Sequence, residues 1–122
     1  MTERSQRLGE RGENAAVAYL ERVGVSVVER NWRCSHGEVD IVALDGRTVV
    51  LCEVKTRSTR AKGNPEESVT AAKRRKYARL AEAYLQESGL TDVVVRFDVI
   101  GLLVIAPDRA LLRHHRGAFV LE

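Results

Sequence analysis

Glu53-Val54-Lys55 sets an acid and an amine two residues apart at the end of an apolar run, Val49-Val50-Leu51-Cys52. In a β-strand that spacing puts both side chains on one face, about 6.6 Å apart along the chain, and Arg57 extends the same face. Such a pair serves either as a solvated ion pair or as part of a hydrolytic site. Asp40 adds a second carboxylate. A hairpin signal at Asp45-Gly46-Arg47 joins the run from Glu38 to Leu44 with the run from Thr48 to Lys55, because Asp-Gly tolerates the positive φ that a tight turn demands. A two-residue turn at Gly46-Arg47 sets Asp40 opposite Glu53; one at Asp45-Gly46 sets it opposite Leu51, diagonal to Glu53. Both registers put Asp40 on the face of Glu53 and Lys55, whereas a three-residue loop would flip it. Two neighbouring carboxylates repel, a divalent cation relieves the repulsion, and hard oxygen ligands of this kind suit Mg²⁺ or Mn²⁺. Glu13 is a third candidate acid. It lies three, seven and ten residues before Ala16, Leu20 and Val23 and so shares their helix face; the alternative is an acid of the first turn that complements the helix dipole.

The elements that must position these residues follow from periodicity. Leu8, Ala15, Ala16, Tyr19, Leu20 and Val23 recur at helical spacing from about Ser5 to Val23, with Gly9 and Gly12 weakening the first turns and Gly24 as a stop. Val25 to Arg33 reads as a strand. The two hairpin strands follow, and the continuous apolar run of the second predicts a central strand covered on both faces. Asn64-Pro65-Glu66-Glu67 carries the residue types of a helix start; Val69, Ala72, Tyr77, Leu80, Ala81 and Tyr84 form the apolar stripe of that helix, and Ser88-Gly89 ends it. Val93 to Ile105 is one bent strand or two, divided at Gly101, and Ala118-Phe119-Val120 is a short element in the tail. The predicted order is helix, three strands, helix, strand, an α/β arrangement. A length of 122 residues fits a single domain spanning 1–122.

Composition limits the partners. Hydrophobic residues make up 44% and charged residues 30%, an ordinary globular balance. No apolar run reaches the roughly 18 residues of a membrane span, so the expectation is a cytoplasmic protein with no membrane partner. Cys34 and Cys52 are too few for a disulfide framework or an all-cysteine zinc site. Net charge is +3, but nine Lys/Arg against two acids between Lys55 and Arg79 leave the rest of the chain negative. That segment suits phosphate backbones. With aromatic residues at only 5%, backbone contacts are expected rather than base stacking. Asp98 is expected to order Arg96 or a helix end, Glu38 to act as an outer ligand or to pair with an arginine, and His114-His115 to be solvated or to meet phosphate.

Glu13, Gly37-Glu38-Val39-Asp40-Ile41-Val42, Glu53-Val54-Lys55-Thr56-Arg57, Gly63, Lys73 and Arg96-Phe97-Asp98-Val99 together resemble the YraN-like uncharacterised bacterial protein family, over nearly the whole chain. That family is similar to the PD-(D/E)XK nuclease superfamily, especially the archaeal Holliday-junction resolvases. The resemblance implies a restriction-endonuclease-like αβββαβ core, a mixed central sheet flanked by helices. It implies a nuclease that hydrolyses phosphodiester bonds of DNA, with Asp40, Glu53 and the Val54 carbonyl holding Mg²⁺ and Lys55 serving the attacking water. Glu13 would bind a second ion or orient water, and Arg57, Arg60, Lys62, Lys73 and Arg74 would hold the nucleic-acid backbone. A homodimer would suit the cutting of two strands. The chain departs from the pattern in having Val39 where the superfamily's name has Pro, and Lys62 where the family often has an aromatic residue. The alternative is a nucleic-acid-binding module that retains the fold without turnover.

Overall fold

A computed structural model describes residues 3–58 and 70–121. Two helices and five strands follow one another as α1 (Glu3–Arg22), β1 (Ser26–Cys34), β2 (Gly37–Asp45), β3 (Thr48–Arg57), α2 (Ala71–Ser88), β4 (Val94–Ala106) and β5 (Arg109–Leu121). The strands form one mixed α/β sheet in sequence order, β1-β2-β3-β4-β5. Only β3 and β4 are parallel. Parallel neighbours need a crossover, and the segment containing α2 supplies it.

The apolar run of β3 occupies the middle of the sheet, as its continuous hydrophobicity predicts. Val49 and Leu51 pack on one face with Leu80, Ala81 and Tyr84 of α2. Val50 and Cys52 pack on the other with Ala16 and Leu20 of α1. The hairpin turn is Gly46-Arg47, with Asp45 paired to Thr48. Gly46 takes φ 62, and a glycine at the first central position is what a two-residue hairpin of type II′ requires.

Three expectations are corrected. Helix α1 starts at Glu3 and passes through both glycines, because packing outweighs propensity. Gly12 is buried against β3, where a Cβ would collide with the Thr56 side chain; the missing side chain lets the helix backbone close on the strand. Gly12→Ala should therefore cost about 1–3 kcal/mol through overpacking, seen as a lower urea midpoint with an unchanged m-value. Val23 and Ala72, read as stripe residues, are exposed. Helix α2 is capped by Thr70, whose Oγ1 accepts from the Lys73 amide at 3.1 Å; the expected start at Asn64-Pro65-Glu66-Glu67, like Val69, lies outside the described residues. The tail forms a full 13-residue strand, β5, paired antiparallel to an unbroken β4. Its sequence signal is Pro107-Asp108, a turn pair between two β-rich runs.

Candidate functional site at a fork in the sheet

Strands β2 and β3 pair from the hairpin only as far as Ile41 and Cys52. Beyond that rung each stays with its outer neighbour, β2 with β1 down to Gly37 and β3 with β4 up to Arg57. The sheet therefore forks, and the residues singled out for chemistry stand at the crotch and on its two arms. An open fork leaves backbone groups of β3 without ladder partners. Asp40 answers this directly: its Oδ2 accepts from the Val54 amide at 2.8 Å.

The period of two breaks at Asp40. Val39 packs with the α2 cluster and Ile41 with the α1 cluster, although they are two residues apart. On β1 the break is matched by Asn31, which takes φ 54 between the rungs Arg30–Ile41 and Trp32–Val39. Asp40 consequently does not share one face with Glu53 and Lys55, as strict alternation predicts. It turns into the fork and lines a cleft on each side of the sheet.

On the α2 side, Glu53 accepts a 2.6 Å hydrogen bond at Oε2 from the Tyr77 hydroxyl. Lys55 lies on the same side, close enough to Glu53 and Lys73 to be influenced by both. This cleft, about 110 Å³, is lined by Glu38, Asp40, Glu53, Lys76 and Tyr77 among others. On the α1 side a larger cleft of about 470 Å³ is lined by Glu13, Asn31, Asp40, Val54, Thr56 and Arg57 among others. Glu13 sits mid-helix rather than in the first turn. Its Oε1 accepts from Arg30 Nε at 3.0 Å and from Asn31 Nδ2 at 3.1 Å. The Gly12–Thr56 contact brings this part of α1 against β3.

The electrostatics match the geometry. Burial, followed by the charges of Glu53, Glu13 and Glu38, pushes the Asp40 carboxyl above its ordinary value, against the lowering effect of the Val54 amide. A cation in the fork would offset that crowding. Burial, with help from Lys73 and Arg57, lowers the Lys55 ammonium although Glu53 works the other way, so Lys55 gives up its proton more readily than a free lysine. The Cys52 thiol is pushed up, chiefly by burial, and is inert at neutral pH.

Asp40 with a raised folded-state value is costly to ionise. Its contribution to stability is complete below the unfolded carboxylate range and is lost as pH rises through the folded value. Asp40→Asn keeps an acceptor for Val54 and removes the charge. It should melt above the native protein at pH 7, with the gap closing in acid; equal melting at pH 7 would contradict this electrostatic picture.

Among the described residues, no three His, Cys, Asp or Glu side chains gather as a metal-holding group. Glu13 and Glu53 are on opposite sides of the sheet, and Asp40 and Glu38 line both clefts. Of the expected backbone-binding residues, Arg57 lines the α1-side cleft and Lys73 stands near Lys55. Arg74 is on the exposed surface of α2. Arg60 and Lys62, with Gly63, lie outside the described residues. Glu38 pairs with Arg33 at 3.0 Å. Tyr77 and Lys76 are the site residues that sequence reasoning missed. Tyr77 is four residues, one helical turn, beyond Lys73, but an aromatic residue within an apolar stripe reads as core.

Away from the fork, Asp98 is a buried charge. It accepts from Arg96 Nε at 2.8 Å, Arg96 Nη2 at 3.1 Å and the Gly117 amide at 2.9 Å. His114 Nε2 lies 2.7 Å from Asp98 and its Nδ1 3.0 Å from the Tyr19 hydroxyl. Arg96 also reaches Asp45 at 3.0 Å. The expected structural role of Asp98 is what these contacts describe, whereas His114 is buried in this network rather than solvated or at a phosphate.

A model of the family described as uncharacterised protein family UPF0102 matches residues 12–102. A UPF0102 protein of Geobacter sulfurreducens is 48% identical over 114 residues, covering 93% of this chain and 89% of its own. One from Arthrobacter sp. is 46% identical, covering 90% and 93%; one from Acidothermus cellulolyticus is 43% identical, covering 93% and 94%. No described helix is long and apolar enough to cross a membrane.

Proposed function

For this chain, which belongs to the uncharacterised protein family UPF0102, we propose a metal-dependent nuclease that hydrolyses phosphodiester bonds of DNA at the fork between β2 and β3. The observation that carries this reading is that Asp40 and Glu53 line one cleft where strand pairing stops, with Lys55 near Glu53. Asp40 comes from one arm and Glu53 from the other. In an extended strand the amide and carbonyl of a residue point to the same edge; the Val54 amide faces Asp40, so its carbonyl faces the fork as well. Two carboxylates and a carbonyl fit an ion that keeps several of its own waters, as Mg²⁺ does. When bound, the ion supplies charge for the phosphate oxygens and lowers the pKa of a coordinated water.

The residues of the chain do the rest. Lys55, its ammonium destabilised by burial, orients the attacking water and accepts or shares its proton. It also offsets negative charge that grows on the phosphate during attack. Lys73 adds a second positive charge beside it. Glu13, held by Arg30 and Asn31, faces the larger cleft and orients water from the other side of the sheet. Arg57, with Arg74 and the basic residues Arg60 and Lys62 of the segment between β3 and α2, holds the backbone of the nucleic acid.

Purified protein incubated with linear, nicked and four-way DNA in Mg²⁺, Mn²⁺ and chelator tests the proposal. Cleavage that needs the metal and disappears in Lys55→Ala supports it. Cutting that persists in chelator, or in Lys55→Ala, refutes it. That no three acids among the described residues gather as a metal-holding group favours one second reading, a nucleic-acid-binding module without turnover. That module binds with a log–log salt slope of about −3.6 for four neutralised phosphates on duplex DNA and cuts nothing.

A further inference from the structure

We infer that Tyr77 is a positioning residue that fixes Glu53 for the cation, an inference that rests on the fork's being a metal site. The Tyr77 hydroxyl donates to Glu53 Oε2 at 2.6 Å, a short bond of the charge-assisted kind. It engages one carboxylate oxygen and so restricts rotation of the carboxylate, which in this role leaves the other oxygen for the cation. A neutral donor does this without bringing a positive charge to the site. Glu13 makes the contrast clear: its oxygen is held by the Arg30 guanidinium, a cation that competes with any ion placed beside it.

Tyr77 is itself well held. Its ring lies 5.0 Å from the Phe97 ring at a 40° tilt, against the sheet core below α2. A phenol hydroxyl is protonated at neutral pH, so Tyr77 serves as the donor in this contact. Fixing the orientation of a ligand in advance lowers the cost of binding an ion and of holding it in place during reaction. Substrate binding is not part of this role, since Tyr77 reaches the reaction only through Glu53.

The test compares Mn²⁺ affinity of the full chain by calorimetry, without nucleic acid, with cleavage kinetics on a DNA substrate. Tyr77→Phe keeps the ring against Phe97 and removes only the donor. Mn²⁺ should bind about tenfold more weakly, kcat should fall by a similar factor, and KM for DNA should stay within about twofold. Tyr84→Phe, on the same helix but packed against Trp32, is the control and should change none of these. Native affinity and kcat in Tyr77→Phe, with Mn²⁺ binding that Glu53→Ala abolishes, would overturn the positioning role and leave the metal site standing. No Mn²⁺ binding by the native chain would overturn both.

Discussion

Asp98→Ala should be as destabilising as the loss of a large core side chain, lowering the unfolding free energy by about 3–5 kcal/mol. Asp98 is 1% exposed, and its two oxygens take up Arg96, His114 and the Gly117 amide. Through Arg96 and Asp45 it ties β4 to the end of β2, and through His114 and Tyr19 it ties β5 to α1. Alanine would leave a guanidinium and an imidazole in the interior without the carboxylate that both were folded around. Against a total of about 5–15 kcal/mol for a domain, such a loss leaves little margin. The pH dependence has a definite sign. Burial alone would raise the Asp98 carboxyl, but hydrogen bonds from His114, Arg96 and Gly117 outweigh it and hold the group below its ordinary value of 3.8. Its contribution is thus fully present above that value and is lost as pH falls through the folded value. Urea unfolding at pH 7 should show the full gap between native and variant protein, and the gap should shrink only below about pH 4. A variant within 1 kcal/mol of the native protein at pH 7 would show that the network contributes nothing beyond its own desolvation cost.

Glu53→Gln should reduce DNA cleavage by about 10³-fold or more, roughly 4 kcal/mol of transition-state stabilisation. The substitution is nearly isosteric. The amide oxygen can still accept from Tyr77, so the packing of α2 on the sheet should survive and thermal melting should stay close to native. What goes is one of two charges at the fork. Retained folding with lost turnover is the signature of a group whose worth lies in the transition state rather than in stability. Loss of folding together with turnover would instead mark Glu53 as a structural anchor for α2.

Much of this arrangement is legible in the sequence. Continuous apolar residues at Val49 to Cys52 place β3 centrally, because only a strand covered on both faces has that pattern. Gly46 at the turn fixes the register that aligns the two hairpin strands. The spacing of Glu53 and Lys55 puts them on one face, and they are found there. Alternation fails at Asp40 because it describes paired strands, and the pairing ends one residue earlier, at Ile41; Asn31, an unremarkable residue in sequence, absorbs the twist. Gly12 misleads as a helix breaker because its value lies in a contact with Thr56, 44 positions away. His114 misleads in the same way, since its charged neighbours suggest a solvated tail while Tyr19 and Asp98 wait for it inside. Long-range contacts of this kind leave no local periodicity to read.

Counting Mn²⁺ ions bound per chain by electron paramagnetic resonance tests most directly whether the fork is a cation site, with no assumption about substrate. The account predicts tight binding to the native protein that is lost in Asp40→Asn and in Glu53→Gln, although Asp40→Asn melts higher. Binding that survives both substitutions, or a native protein that takes up no ion, would contradict it.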